Sequence, residues 1–263
     1  MAKVMRVIDT SKCVGCKGCQ VACKQWNQLP AVETEFTGSY ENPADFTPET
    51  WCRVKFNEYE NGDSINWYFS FYSCMHCTEA GCMDICPVDA IVRTDYGAVR
   101  IHQETCIACG ACVGACPFDV PRVGEKAYKC TFCADRVEND HIPACAKTCP
   151  TGAISFGDAD EKLAEAEARV NELQDMGHAN AQIYGKDELG GLKSVYVLLD
   201  SPDMYGMPVD PTVSFGTYLW KVAMGPIKTV AAVGLAAGAL SSWFAVRKEE
   251  VKKEKEEKVA AKK

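Results

Sequence analysis

The sequence has no excess of positive charge. Its 263 residues carry 28 Lys and Arg against 36 Asp and Glu, a formal net charge of −8 at pH 7. Proteins that bind nucleic acids present basic surfaces, so this balance argues against a nucleic-acid partner. The chain also has no nucleophile–base arrangement, carboxylate pair or phosphate-binding loop. We therefore expect no catalytic residues in this chain.

The N-terminus lacks the features of an export signal. Residues 1–13 contain neither an apolar stretch nor a twin arginine. A disulfide framework is one reading of the 17 cysteines, but such frameworks are typical of small secreted domains. A long chain without a secretion signal favours metal chemistry instead.

Sixteen of the cysteines fall into four quartets, and Pro follows the last three quartets directly. The third has the spacing C-x2-C-x2-C-x3-C-P of ferredoxins that bind cubane iron–sulfur clusters. The quartets are Cys13, Cys16, Cys19, Cys23; Cys74, Cys77, Cys82, Cys86; Cys106, Cys109, Cys112, Cys116; and Cys130, Cys133, Cys145, Cys149. Sixteen thiolates suffice for four [4Fe–4S] clusters, which predicts an electron carrier.

Zinc is the alternative metal. Structural zinc takes four ligands, commonly from two well-separated pairs, and three cysteines within seven residues would crowd a zinc tetrahedron. Cys52 belongs to no quartet and is predicted to be a buried free thiol that packs as a small hydrophobe. His76, between two cysteines, could tune a cluster, but a surface or hydrogen-bonding role is favoured.

The pattern around the quartets predicts an α+β fold with two pseudo-symmetric, bacterial-ferredoxin-like βαβ units. Short strands are expected at Val4–Ile8, Ala90–Arg93, Ala98–Ile101 and Ala153–Phe156. The predicted divisions are ferredoxin-like domain A, split between residues 1–30 and 119–157; an aromatic-rich insert, 31–73; ferredoxin-like domain B, 74–118; a helix and extended arm, 158–225; a transmembrane helix, 226–246; and a charged tail, 247–263.

The segments outside the quartets give further expectations. The insert is predicted to contain a hairpin, Trp51–Tyr59 and Ile65–Tyr72, that turns at Asn61-Gly62. Its aromatic side chains serve either packing or docking of a partner subunit. A helix is predicted over Asp158–Met176, with an apolar stripe ending at Leu173, and a strand over Lys193–Asp200. The Pro-rich run Ser201–Pro211 is predicted to be an extended arm.

Residues 229–246 form a long run without charge. It is long enough to cross a bilayer, and Gly234 and Gly238 form the G-x-x-x-G pattern of a helix packed on another membrane helix. A buried soluble helix is the alternative. More basic residues follow the run than precede it, which predicts a cytoplasmic tail and a cluster body on the outer, periplasmic side. Because no export signal is visible, we expect export with a partner that carries one.

The chain resembles the iron–sulfur (β) subunits of membrane-bound respiratory formate dehydrogenase of the N type. The resemblance runs from about Val7 to Val246. The residues that carry it are Cys13–Cys23, Tyr40–Asp45, Cys74–Cys77, Tyr128–Arg136 and Cys149–Ile154. The quartets alone also occur in subunits of hydrogenases and other molybdenum enzymes, whereas Tyr40–Asp45 and the single terminal helix narrow the choice.

The resemblance implies partners and ligand sets that spacing does not give. A molybdopterin (Mo or W) subunit would oxidise formate, a membrane cytochrome b would reduce quinone, and this chain would relay electrons between them while its helix contacts lipid. The implied ligand sets are Cys13, Cys16, Cys19 with Cys149; Cys130, Cys133, Cys145 with Cys23; Cys74, Cys77, Cys82 with Cys116; and Cys106, Cys109, Cys112 with Cys86.

Two other functions remain open at this point. A four-cluster subunit of a membrane-bound hydrogenase, or of another molybdopterin oxidoreductase, would have the same quartets. A stand-alone enzyme such as a ferredoxin-dependent reductase would need a flavin or substrate pocket, and no motif for one is present.

Overall fold

The computed structural model describes residues 3–223 and 242–243. The chain divides into two units, Met1–Thr217 and Tyr218–Lys263. Of the second unit, the described residues 218–223 and 242–243 are helical. No helix in the described ranges has the length and hydropathy to cross a membrane. The predicted transmembrane helix, 226–246, lies outside those ranges apart from Ser242 and Trp243, as does the predicted tail.

The first unit has the mixed α and β content of ferredoxin-like domains. Its strands are β1 (Val4–Asp9), β2 (Cys52–Asn61), β3 (Ser64–Ser73), β4 (Ile91–Arg93), β5 (Val99–Ile101), β6 (Arg122–Val123), β7 (Ala127–Tyr128), β8 (Ile154–Asp158), β9 (Gln182–Tyr184) and β10 (Ser194–Leu198). Its helices are α1 (Gly18–Trp26), α2 (Gly81–Asp84), α3 (Ala111–Gly114), α4 (Ala134–Val137), α5 (Ala144–Thr148) and α6 (Ala159–Asp175).

A four-stranded sheet in the order β8-β1-β10-β9 is the framework of the first unit. Strand β1 runs antiparallel to β8 and parallel to β10, with Arg6 opposite Ser194. Side chains alternate between the faces, so Val7 and Val195 pack beneath α6 while Ile8 and Tyr196 face the hairpin and the cysteines. The sheet is therefore buried on both faces.

Helix α6 confirms the predicted helix and its boundaries. The Asp158 carboxylate caps it by accepting hydrogen bonds from the main-chain N–H groups of Asp160 and Glu161, at 3.0 and 3.3 Å. Gly177 follows its end with φ +100°, a conformation that glycine adopts without strain. Ala166, Val170 and Leu173 are buried against the sheet, as the apolar stripe predicts.

The predicted hairpin is present, and its strands pair from Cys52 with Ser73 to Asn61 with Ser64. Its buried aromatic side chains Phe71 and Tyr72 confirm the packing role. Trp67 is 54 % exposed, and docking of a partner subunit stays a prediction. The run predicted as an extended arm differs, because Pro202–Tyr205 forms a 3-10 turn and Tyr205 is fully buried. The Tyr205 hydroxyl accepts a hydrogen bond from Leu199 N–H, which ties the turn to the end of β10.

Candidate iron–sulfur cluster sites

Four groups of cysteines lie around separate points of the first unit. We number them along their order in space: site 1 is Cys13, Cys16, Cys19, Cys149; site 2 is Cys23, Cys130, Cys133, Cys145; site 3 is Cys74, Cys77, Cys82, Cys116; site 4 is Cys86, Cys106, Cys109, Cys112. The cysteines of sites 1, 3 and 4 each line a separate cavity. At site 2, Cys23 and Cys145 lie close enough to Cys130 and Cys133 to raise their thiol pKa values, although burial is the larger cause.

Each quartet therefore gives its first three cysteines to one site and its fourth cysteine to another site. Cys23 leaves the first quartet for site 2, and Cys149 leaves the fourth for site 1. Cys116 lines the site 3 cavity although its quartet lines site 4, where Cys86 joins it. The structure thus brings together the same four-cysteine groups that the resemblance implies.

A common backbone turn places the first two cysteines of every quartet. The residue two positions after the first cysteine has positive φ in all four: Gly15 (+66°), His76 (+51°), Ala108 (+56°) and Phe132 (+62°). Residues other than glycine rarely adopt this conformation, so its recurrence indicates a shared geometric requirement. From the sequence, this backbone conformation could be expected only at Gly15, because the other three positions hold residues that rarely adopt it.

The turn after the last cysteine also repeats. Pro87, Pro117 and Pro150 each follow a cysteine, and two residues later Asp89, Asp119 and Gly152 have φ of +52°, +50° and +67°. Asp and Gly are among the residues that accept this region at least cost. The same backbone turn thus follows the last cysteine of three of the four quartets.

The chemistry of the cavities fits a polynuclear iron–sulfur cluster. Apart from their thiols, the walls are largely aliphatic, as with Val88, Ile91 and Ile101 at site 4. Main-chain N–H groups donate to the ligand sulfurs, from Ala90 to Cys86 at 3.2 Å and from Ala127 to Cys106 at 3.4 Å. Such hydrogen bonds and burial tune cluster potentials. Among the described residues, no three Cys, His, Asp or Glu side chains converge on a single-ion site.

Burial strongly affects the thiols. It raises the pKa of Cys112 and of Cys130 to about 11, and that of Cys82 to about 12, even though Lys129 opposes the shift at Cys82. Without iron, these thiols therefore stay protonated near neutral pH. Iron binding must displace their protons, which couples cluster insertion to proton release.

The effects of thiols in neighbouring sites on one another's pKa values link the four sites in the order 1, 2, 3, 4, which we call the row. After burial, the charge of Cys145 in site 2 is the main cause that raises the pKa of Cys19 in site 1. Cys74 in site 3 raises that of Cys130 in site 2, and Cys112 in site 4 raises that of Cys82 in site 3. Of the 17 cysteines, only Cys16 and Cys109 are exposed, and they belong to the two ends of the row. The most exposed cysteines thus lie at the two ends, all four cysteines of site 2 are buried, and Cys77, Cys82 and Cys116 of site 3 are partly exposed.

Cys52 is buried and free, as predicted, but it is not an isolated hydrophobe. Its thiol donates a hydrogen bond to the main-chain oxygen of Cys19 at 3.8 Å. Its interaction with the Cys23 thiol lowers the pKa of Cys23 and raises that of Cys52 well above the ordinary value. His76 has the predicted hydrogen-bonding role, and the surface alternative is wrong, since the ring is fully buried. Its Nδ1 accepts the Val99 N–H at 3.0 Å, and burial lowers its pKa well below the ordinary value.

Glycine at position 81 has a packing role at site 3. A Cβ there would lie 2.7 Å from the main-chain oxygen of Ala115, which follows α3. We expect Gly81→Ala to push α2 away from α3 and to lower stability by about 1–3 kcal/mol. Gly114→Ala is the matched control, because a Cβ at Gly114 meets nothing within 4 Å. Thermal loss of the cluster absorbance measures both; equal midpoints for the two variants would contradict the packing role.

The fold and the matching family models define the class of protein. A model described as a 4Fe-4S dicluster domain matches residues 65–159, and one described as a 4Fe-4S binding domain matches residues 10–26. The protein is a ferredoxin-like carrier of [4Fe–4S] domains.

The relatives identify the family within that class. The chain is 40 % identical over 252 residues to the formate dehydrogenase iron–sulfur subunit of Haemophilus influenzae, with 93 % of this chain and 81 % of the relative covered. Its identity to the nitrate-inducible formate dehydrogenase iron–sulfur subunit of Escherichia coli is also 40 %, with 93 % and 86 % covered. The formate dehydrogenase β subunit of Megalodesulfovibrio gigas is 37 % identical, with 75 % and 94 % covered. The chain belongs to the family of formate dehydrogenase iron–sulfur subunits.

Proposed function

We propose that this chain is the electron-transfer subunit of a formate dehydrogenase and that it holds four [4Fe–4S] clusters, one at each of sites 1 to 4. The observation that carries the proposal is the row of four-cysteine sites with one exposed cysteine at each end. Cysteine-ligated cubes supply one-electron transfer and make no bond to substrate. The chain's own residues would hold the clusters in order, donate hydrogen bonds to sulfur and keep the four cysteines of site 2 buried.

The two ends of the row are suited to contact partner subunits. Val14, beside Cys16, is 59 % exposed, and Ile107, beside Cys109, is 58 % exposed. In this proposal a partner subunit covers each of these ends and exchanges electrons with the cluster there. The partners that we propose are a molybdopterin (Mo or W) subunit that oxidises formate and a membrane cytochrome b subunit that reduces quinone.

The end of the first unit supports an orientation. Val213 packs beside Gly81 at the start of α2, near sites 3 and 4, and the unit ends shortly afterwards at Thr217. We therefore assign site 4 to the membrane-side partner and site 1 to the formate-oxidising partner. The apolar run at 229–246 would span the membrane, with the cluster body on the periplasmic side and the tail in the cytoplasm. Export would occur together with a partner that carries a signal.

Purification of the chain from membranes in mild detergent tests the proposal. We expect a large molybdopterin subunit with formate-oxidising activity to co-purify, and iron and acid-labile sulfide to approach four clusters per chain. A nickel–iron subunit in its place would favour the hydrogenase alternative. Zinc in place of iron, or substrate turnover by the isolated chain, would contradict the proposal. The relatives named above are all formate dehydrogenase subunits, which favours the first outcome.

A further inference from the structure

Two buried cations lie at the boundary between site 2 and site 3. Lys129 Nζ is 3.4 Å from Cys74 Sγ of site 3 and 3.3 Å from the main-chain oxygen of Cys130 of site 2. Arg6 Nη1 is 3.6 Å from Cys145 Sγ of site 2, and its Nη2 is 3.3 Å from the main-chain oxygen of Cys74. Each side chain thus contacts ligand residues of both sites.

Both side chains are held firmly in place. Arg6 and Lys129 are only 1 % and 4 % exposed. Arg6 Nη2 also donates to the hydroxyl oxygens of Ser73 and Ser194, at 2.7 and 2.6 Å, and its guanidinium lies 5.2 Å from the Phe132 ring centroid. Lys129 Nζ donates to the main-chain oxygen of Val99. Neither charge can move to solvent without disrupting these contacts.

No carboxylate balances the two charges. Among the ion pairs of the described residues, none includes Arg6 or Lys129. A buried charge without a partner is very unfavourable, and in proteins such charges are paired or lie beside an ion. The anions that can pair with these cations are the thiolate-ligated clusters of sites 2 and 3, because a cube with four thiolates carries net negative charge.

The boundary between sites 2 and 3 is also where the predicted ferredoxin-like domains A and B meet, both within the first unit. Site 2 receives Cys130, Cys133 and Cys145, whereas site 3 receives its cysteines from the second and third quartets. Across it, the His76 ring lies 4.5 Å from that of Phe132, and these two residues occupy equivalent turns of their quartets. An electron that moves along the row must pass from one of these domains to the other between site 2 and site 3.

We propose that Lys129 and Arg6 are positioning residues for electron transfer, which supply the counter-charge of the two central clusters and raise their reduction potentials. The proposal rests on the ligand sets of the proposed function. Reduction adds one negative charge to a cluster, and a fixed cation within hydrogen-bonding distance of a ligand sulfur stabilises the reduced form. Lys129 acts mainly on site 3 through Cys74, and Arg6 acts mainly on site 2 through Cys145.

The proposal gives different expectations for the two residues. Lys129→Gln removes the charge and keeps a polar side chain of similar length, so the site 3 cluster should become harder to reduce. Arg6→Gln should have the corresponding effect on site 2, whereas Arg6→Lys should retain most of the wild-type potential because it keeps the charge. We expect the ratio of reduced to oxidised cluster at fixed poise to fall about tenfold, or about 59 mV for a one-electron couple.

The experiment is an EPR-monitored redox titration of the full chain purified with its partners, with iron and sulfide measured on every sample. Signals are assigned by their loss in single-cysteine variants of each site. Lys186→Gln is the control, since the exposed Lys186 pairs with Glu167 at 2.7 Å and its side chain has no recorded hydrogen bond to a cysteine. Its four potentials should match those of the wild type.

The outcomes separate this proposal from the proposed function. Wild-type protein without four clusters would contradict the function itself. Fully loaded Lys129→Gln and Arg6→Gln with wild-type potentials would overturn the counter-charge role while leaving the relay intact. If Lys129→Gln fails to retain the site 3 cluster, the lysine acts in assembly and the proposal is equally wrong. If Arg6→Lys lowers the potential as much as Arg6→Gln does, charge is not the cause.

Discussion

Cys116→Ala is expected to abolish the EPR signal of the reduced cluster at site 3 and to leave the signal of site 4 unchanged. Cys116 follows Cys112 in the same quartet, but it lines the site 3 cavity together with Cys74, Cys77 and Cys82. Cys86→Ala should do the reverse, because Cys86 lines the cavity of Cys106, Cys109 and Cys112. Loss of one of four ligands removes a cluster's anchorage, so the effect is the loss of a whole signal rather than a small shift.

A comparison of spectra decides this prediction without any prior assignment of signals. Cys116→Ala should give the same spectrum as Cys77→Ala, and Cys86→Ala the same spectrum as Cys109→Ala. The control is Cys52→Ala: its thiol contacts Cys23 but belongs to no site, so all four signals should remain. If Cys116→Ala instead matched Cys112→Ala, each quartet would hold its own cluster and the crossed sets would be wrong.

The local structure of this chain could be predicted from residues within or next to each helix, strand or turn. Asp158 and Gly177 marked the ends of α6, and Asn61-Gly62 marked the end of β2 where the hairpin turns, because caps and tight turns need specific residue types at specific positions. The quartet spacing likewise identified the cluster ligands as a class. These signals depend on interactions over a few residues, which a single sequence records well.

Long-range pairing could not be predicted in the same way. The strand at Ser194–Leu198 was expected, but nothing in it showed that it pairs in parallel with β1, nearly the whole length of the unit away along the chain. The crossed cysteine sets came from resemblance, since spacing allows each quartet to bind its own cluster. Which strands pair depends on the burial of their side chains and on register. The alternation of apolar and polar residues along a strand does not reveal the partner strand.

The cations at the boundary were missed, although the sequence carries a signal for one of them. Arg6 lies within an otherwise apolar strand segment whose alternate side chains face two buried layers, so a charge there needs a buried partner. Lys129 directly precedes Cys130, and nothing in the sequence distinguishes a buried lysine from a solvent-exposed one at this position. Only the three-dimensional arrangement shows that both side chains reach ligands of two sites.

The order of the row predicts a second large effect, in the assembled complex. If site 1 faces the formate-oxidising subunit and site 4 the membrane, Cys116→Ala should reduce formate-dependent quinone reduction to background. Electron transfer to a small dye that accepts electrons at the catalytic subunit should persist, because that route does not use site 3. Cys52→Ala, which leaves the row intact, should retain both activities.

Freeze-quench EPR after mixing with formate tests the direction of the same row. In Cys116→Ala, electrons should accumulate at sites 1 and 2 and should not reach site 4, because site 3 lies between sites 2 and 4 in the proposed row. Reduction of site 4 alone would reverse the direction and place the formate-oxidising partner beside Ile107. Rapid reduction of sites 1, 2 and 4 together would mean that the sites do not act in series. The exposed ends at Cys16 and Cys109 would then serve two independent entry points rather than the two termini of one relay.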